Sequence, residues 1–566
     1  MKRCPKCNRA EPDDSLAFCR TDGTRLVGDG SFVSESAGTL RFDSAPATGE
    51  PDTHILPTGE GLSRPTAPTT VLDERQANGG TQELGRPKPH RTIVIAAAVV
   101  VTIVLTTSAY FYFSRVKNDR AIESIAVLPF VNEGGNADTE YLSDGMTESL
   151  IGSLSQIPKL NVKARSSVFR YKGKDTNAQT IGKELNVQAV LNGRVVQRGQ
   201  DLTLYVELVD ATTENSLWKQ TYNKAMTNLV ALQNDIARDV ADKLKVKLSG
   251  ADEQRLAKSD TGNAEAYQLY LKGRFHWNRR SRKDNEKALE YFQQAIAIDP
   301  NFALAYVGIA EAYMTYQTPE SKARENAQKA LSLDDNSAEA HTAFGRVLSG
   351  YDYDLAAAER EYRRAVELNP NYANAHYWYG QLCMAQGRWE EAFAAFRLAL
   401  ELEPLSLNIN ANYGGLLKNA RRYDEAVAHL KKTLELDENF APTYGQLAQA
   451  YWLKGNYAES VEALARTREI DGEHEVASLM RESFAKGGWE GFLRYMTEDR
   501  RAPWLSFNLA TYHAALGEKD KAFAALNKAY ENREAFLVLL KVDPRLDPLR
   551  DDPRFSELLR KVGLPQ

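Results

Sequence analysis

Along this chain the spacing of apolar residues changes several times, and each change marks a different kind of segment. Residues 27–91 hold no sustained apolar period and are rich in Gly, Ser, Thr and Pro, with prolines at 46, 51, 57, 65, 68, 87 and 89. Such a stretch buries too little apolar surface to offset the entropy of ordering it, so it reads as a disordered linker, about 40–48 Å in mean end-to-end distance. From Ile93 to Phe113 no residue is charged. At ~1.5 Å rise per residue this run is about 31 Å long, the thickness of a bilayer's hydrocarbon core, which predicts a transmembrane helix over 92–114. Tyr110, Phe111, Tyr112 and Phe113 would form its interfacial belt.

After residue 121 short apolar runs alternate with helical stretches. "SIAVLPF" (124–130) is a buried-strand pattern closed by a proline and a Gly-rich turn. In "LSDGMTESLIGSLSQIP", Leu150, Leu154 and Ile157 recur at helical spacing. Leu202, Leu204, Val206 and Leu208 alternate strictly, and Arg198-Gly199-Gln200 reads as the turn of a hairpin. A last helix carries Leu229, Leu232, Ile236, Val240 and Leu244 on one stripe. The prediction is an α/β domain with a mixed sheet over 121–249. The blocks "IAVLPF", "YLSDGMTESLIGSLSQIP", "ARSSVFRYKGK", "IGKELNVQAVLNGRV" and "LYVELVDATTENSLW" resemble, in the same order, the TolB/FlgO-like amino-terminal domain. That resemblance implies a non-catalytic module that follows a transmembrane helix and precedes helical repeats in bacterial signalling proteins.

Beyond residue 262 the pattern repeats. "AIAIDPNF", "ALSLDDNS", "AVELNPNY", "ALELEPLS" and "TLELDENF" begin at 295, 330, 365, 399 and 433, at intervals of 35, 35, 34 and 34. That period identifies tetratricopeptide repeats, an all-α solenoid in which each helix pair buries its apolar face only against its neighbours. In residues 373–406 the small Gly380 and Ala392 mark where the two helices cross, Phe396 and Ala399 pack onward, and Pro404 stops the second helix. About seven repeats are expected over 262–535, the pair at 473–502 being degenerate, with a polar, Pro-rich C-terminal cap over 536–566.

A net charge of −5, from 71 basic and 76 acidic residues, offers no bulk attraction to nucleic acid or anionic lipid. The four cysteines change the picture more. Cys4, Cys7 and Cys19 share one short stretch, "CPKCNRAEPDDSLAFCRTDG", and Cys383 stands alone in a helical pattern, where it reads as a small core residue. Cys-x-x-Cys followed by Cys-x-x-Asp supplies three thiolates and the Asp22 carboxylate, a set that tetrahedral zinc accepts. Residues 1–26 resemble the short zinc ribbon that opens many bacterial membrane proteins, which implies a closed, structural zinc site; a ribbon that no longer holds metal is the alternative. Basic residues flank the apolar run almost evenly, Arg86, Lys88 and Arg91 against Arg115, Lys117 and Arg120. Reduced thiols in the ribbon favour a cytoplasmic N-terminus, with everything after residue 120 periplasmic or otherwise extracytoplasmic.

No Walker A, GxGxxG, HExxH or GxSxG motif occurs, and no kinase or winged-helix region precedes the apolar run. His341 and His376 lie 35 residues apart at one repeat register and so are repeat equivalents rather than a metal pair. The inner face of the array is the expected protein-binding groove, lined by Asn374, Tyr377, Gln381, Met384 and Trp452. The Lys and Asn pattern of carboxylate-gripping repeats is replaced by Thr342, Tyr377, Ala411 and Gly445, which predicts a neutral, aromatic groove. The expected function is that of a non-enzymatic, single-pass membrane scaffold or signalling protein that binds protein or peptide partners. The rivals are a membrane-bound regulator whose ribbon contacts nucleic acid and, third, an enzyme of unrecognised type in the α/β domain.

Overall fold

The computed structural model describes residues 122–135, 139–157, 160–245, 260–279, 281–315, 320–498 and 505–565, with positions 249, 250 and 253 and three strands near the start. Those strands, β1 (Lys2–Arg3), β2 (Ala10–Glu11) and β3 (Val27–Gly28), form a small antiparallel sheet with β1 in the middle. The expected zinc ligands Cys4, Cys7, Cys19 and Asp22, most of the linker and the apolar run 92–114 lie outside the described residues. Among the described residues no helix is long and apolar enough to cross a membrane, and no group of three or more His, Cys, Asp or Glu could hold a metal ion.

A mixed sheet occupies residues 124–225. Strands β4 (Ser124–Val127), β5 (Val131–Asn132), β6 (Asn161–Val162), β7 (Ala189–Arg198), β8 (Asp201–Asp210) and β9 (Ser216–Ala225) run in the order β6-β4-β7-β8-β9, with β5 also on β7. β4 is parallel to β6 and β7; β7, β8 and β9 form an antiparallel meander. Ile125, Ala126 and Val127 are all fully buried, as expected of a strand covered on both faces. The hairpin turn lies at Gly199-Gln200, where Arg198 pairs with Asp201 and Gly199 adopts a φ of +62°. Leu202, Leu204, Val206 and Leu208 of β8 all face the core. Over this sheet lie α1 (Glu140–Ser155), α2 (Arg165–Val168), α3 (Ala178–Leu185) and α4 (Leu229–Lys243), and the predicted stripes of α1 and α4 are buried.

Eight helix pairs follow among the described residues. They are α5/α6 (Ala264–Trp277, Arg282–Ile298), α7/α8 (Ala303–Thr315, Glu320–Leu333), α9/α10 (Ala338–Val347, Leu355–Leu368) and α11/α12 (Ala373–Gln386, Trp389–Leu402). Next come α13/α14 (Leu407–Asn419, Tyr423–Leu434) and α15/α16 (Ala441–Lys454, Tyr457–Ile470). The seventh pair is one stretch, α17 (His474–Glu498), broken by the non-helical backbone of Gly488, and the eighth is α18/α19 (Ser506–Ala515, Lys519–Glu531). A short helix, α20 (Pro553–Lys561), belongs to the tail.

Four of the turns between repeats are built the same way. The side chains of Asp299, Asp334, Asn369 and Asp437 accept from the backbone N–H two residues on, which is why the recurring motif is Asp/Asn-x-Asn. One turn into the next helix a side chain reaches back to the carbonyl six residues earlier. His341 meets Asp335 O, His376 meets Pro370 O, Asn410 donates to Pro404 O and Tyr444 donates to Glu438 O. His341 and His376 are therefore turn-closing residues at one register. Their environments differ: burial lowers the pKa of His376, whereas at His341 the same burial is outweighed by Glu361, 2.6 Å away, which raises it.

Where the two helices of a pair cross, Gly345, Gly380 and Gly414 lie under Tyr362, Phe396 and Leu430. A Cβ on Gly380 would stand 2.7 Å from the Phe396 ring, whereas one on Gly445, also in a helix interior, would meet nothing within 4 Å. Gly380→Val is therefore expected to destabilise the array by about 1–3 kcal/mol through overpacking. Gly445→Ala should stabilise it by up to ~1 kcal/mol through helix propensity. Chemical denaturation of the two variants checks both signs.

Candidate functional site

The first helices of successive repeats, α1 of the sheet domain and the tail after Glu531 together enclose a cavity of about 1860 Å³. Sequence spacing along the repeats foresaw one of these three walls.

The sheet domain closes the cavity near its start. Glu148 on α1 accepts from Arg274 Nε at 2.8 Å and Asn278 Nδ2 at 2.7 Å and pairs with Arg165 at 3.1 Å, and Arg274 reaches on to Glu311 at 3.0 Å. Burial pushes the Glu148 carboxyl up, but the guanidiniums of Arg274 and Arg165 outweigh it and hold the group below the ordinary carboxylate range. About a hundred residues on, Asn371 Nδ2 donates to the carbonyls of Ser155, Ile157 and Leu160, and Ser166 donates to Glu403 at 2.9 Å. The sheet domain is thus bonded to the first and to the fourth helix pair at once.

In the middle, the structure brings together four of the five expected groove residues. Asn374, Tyr377, Gln381 and Met384 line the cavity on α11. Tyr377 is largely covered, its ring edge-on to Phe396 at 5.6 Å. Gln381 Nε2 donates to Tyr377 Oη at 3.2 Å and to Asn412 Oδ1 at 3.1 Å, which begins a row of side-chain amides with Asn408 and Gln446. Arg346 stacks on Trp378, 4.2 Å from the ring centroid. Cys383 lies behind this wall, fully buried, and burial pushes its thiol up to about 11.

Trp452 is the exception. It does not line the cavity but stacks on Tyr512 at 5.8 Å, meets Trp489 edge-on at 5.3 Å and is covered by the Arg545 guanidinium. The tail explains the difference. After α19 the chain returns across the array, and Leu537, Leu540, Leu546, Leu549 and Phe555 join the core made by Leu348, Tyr353, Tyr362 and Leu382. Tyr353 Oη donates to Glu534 O at 3.1 Å, the Tyr353 and Tyr530 rings stack at 5.9 Å, and Arg421 pairs with Asp547 at 2.7 Å.

Beside its aromatic side chains the lining carries charges of both signs, among them Glu148, Arg165, Arg274, Glu311, Arg346, Glu403, Lys418, Asp437, Asp471 and Arg545. Glu148 and Arg165 come from the sheet domain and Arg545 from the tail, so no local pattern in the central repeats announced these three. Lys418 did carry a signal. It stands midway between Met384 and Trp452, 34 residues from each, at the same inward register.

Comparison with known proteins divides at the same boundary as the fold. A family model described as the second domain of HilA/YgeH-like transcriptional regulators matches residues 121–239, the sheet domain. Three tetratricopeptide repeat models match residues 279–315, 353–406 and 416–482. A Rhizobium meliloti (strain 1021) protein that bears the name adenylate cyclase 3 is 32% identical over 192 residues, 34% of this chain and 33% of that protein. The matched stretch thus spans about a third of the curated relative's length. Among solved structures, PilW, a type IV pilus biogenesis factor, is 21% identical over 37% of this chain and 98% of its own, with a TM-score of 0.30. YrrB, described as having an unusual peptide-binding site, is 21% identical over 34% of this chain and 97% of its own, with a TM-score of 0.24. A thermophilic repeat protein of Thermus thermophilus, TTC0263, is 20% identical over 35% and 98%, with a TM-score of 0.28. The repeated helix pairs of this chain are tetratricopeptide repeats.

Proposed function

We propose that the chain is a non-enzymatic, membrane-anchored scaffold or signalling protein that binds an extended protein segment inside its repeat groove. The observation that carries this reading is the row of side-chain amides along the inner helices, Asn374, Gln381 and Asn412 half-buried and Asn408 exposed, set beside Tyr377 and Arg346. Amides offer a donor and an acceptor each, as a main chain in extended conformation requires, and the aromatic neighbours supply apolar contact. A sheet domain of the TolB/FlgO-like kind would set the position of the array relative to the span. The regulator reading gains one observation, the family description matched by residues 121–239. That match touches the sheet domain and not the ribbon on which nucleic-acid contact would depend; salt-sensitive binding of the whole chain to DNA would favour it.

Gln381 and Asn412 are accessible enough to alter without removing core packing. Gln381→Arg and Asn412→Arg are each expected to weaken capture of a partner segment at least tenfold while thermal unfolding is unchanged. Affinity capture followed by titration measures the loss, and capture that is indifferent to both changes would remove the groove from the reading.

The ribbon and the span are part of the same proposal. The purified full chain should contain one zinc per chain by elemental analysis and lose it in Cys19→Ser, which removes one of the three thiolates. A chain whose native cysteines are serines and whose exposed Ala458 is cysteine should react with a membrane-impermeant thiol reagent on intact cells. Reaction only after lysis would place the repeats on the cytoplasmic side.

A further inference from the structure

At the far end of the cavity from Glu148 lies a cation that the protein leaves unneutralised. Lys418, in the last turn of α13, is 2% exposed, and its ammonium has three hydrogens to donate. Its one hydrogen bond is to Gln449 Oε1, at 2.5 Å, and no carboxylate of the described residues pairs with it. The charged groups that act on it, Asp543 and Arg545 of the tail, are engaged with each other through Nε and Nη2 of the arginine, at 3.0 and 2.6 Å. The three groups therefore sum to one positive charge, buried where ions of either sign are costly unless paired. Burial lowers the Lys418 ammonium to about 8.

Two unpaired polar atoms lie on or against the same helix. Asn419 is 4% exposed and its Oδ1 has no hydrogen-bond partner; Gln446 Oε1 has none either. Gln446 lies over the bare backbone of Gly415, where a Cβ would stand 3.0 Å from that oxygen. Lys418, Asn419, Gln446 and Arg545 all line the one cavity. The register differs from that of carboxylate-gripping repeats: Ala411 holds the corresponding position here, and Lys418 lies about two helical turns further along α13.

We infer that this end of the groove is a carboxylate-binding subsite for the free C-terminal end of a peptide. Lys418, with the unused Nη1 of Arg545, takes the carboxylate oxygens, and the amide oxygens of Asn419 and Gln446 take the main-chain N–H groups that precede them. A ligand carrying an anion and adjacent N–H donors satisfies all four groups at once, whereas a simple inorganic anion leaves the two amide oxygens unmet. The inference rests on the groove reading given above and adds the polarity of the bound segment to it.

The test is calorimetric titration of the full chain with three pools of N-acetylated hexapeptides. One pool has free C-terminal carboxylates and no Asp or Glu, the second is the same pool amidated, and the third is amidated with one internal Glu. The free-acid pool is expected to bind at least tenfold more tightly than the amidated one, and the advantage should vanish in Lys418→Met. Lys418→Gln, which keeps a polar group beside Gln449, should lose it as well, so that a folding defect in either variant alone does not decide the matter. Binding of the Glu-containing pool that depends on Lys418 supports the subsite with a side chain as the source of the carboxylate. Equal binding of the acid and amidated pools, unaffected by Lys418→Met, overturns the inference and leaves the groove reading standing. Failure of all three pools to bind overturns both.

Discussion

Asn371 Nδ2 lies within 3.2 Å of the carbonyls of Ser155, Ile157 and Leu160, at the frayed end of α1 and the loop beyond it. Helix ends leave carbonyls without intrahelical partners, and buried ones must find donors elsewhere. Here the donor comes from a repeat more than two hundred residues away, in an Asp/Asn-x-Asn turn of the kind that four repeats use to stop one helix and start the next. The remaining architecture follows from that bond and its neighbours. An array of helix pairs has no intrinsic reason to stop curving at a given angle, because each pair touches only the next. Fixing the fourth pair to the sheet domain that also holds the first sets the curvature, and the curvature sets the width of the cavity.

The second fastening is made by the tail, and it is made with some strain. Tyr353 and Arg533, which meet there, both adopt left-handed backbone conformations without being glycine, with φ of 57° and 52°. Each costs on the order of 1–2 kcal/mol. The burial of Leu537, Leu540, Leu546 and Leu549 against Leu348 and Tyr362 exceeds that cost, at roughly 1.5–3 kcal/mol for each large apolar side chain removed from water. Arg421 shows the same exchange on a smaller scale. Its counterparts one repeat away on either side are Gly387 and Gly455, both left-handed; Arg421 keeps their φ and gains a contact to Asp547 that glycine could not make.

What could be read from the sequence was local. The 34-residue period is legible because a repeat's packing partners are its immediate neighbours, so every contact leaves a mark at fixed spacing; the hairpin at Gly199 and the buried alternation of β8 are legible for the same reason. The groove's chemistry was not. Part of its charge comes from the sheet domain and the tail, and nothing in residues 373–454 encodes the arrival of Glu148 or Arg545. Trp452 illustrates the limit: its register is that of Met384 and Lys418, but Trp489, Tyr512 and, from the tail, Arg545 pack on it. The pair that is degenerate in sequence is one stretch whose backbone breaks at Gly488.

A groove fastened at two points along its length differs from an open one in how a chain can get in. An open solenoid accepts the middle of a long polypeptide laid sideways along its inner face. Here the sheet domain is bonded to the turn after the fourth pair and the tail to the turn within the third, so on the reading proposed above a long segment approaching broadside would meet protein before the inner helices, while a free end would pass more readily. On the reading proposed above, the two fastenings would act as a filter on topology, sorting polypeptides by whether they present a terminus before any side chain is read.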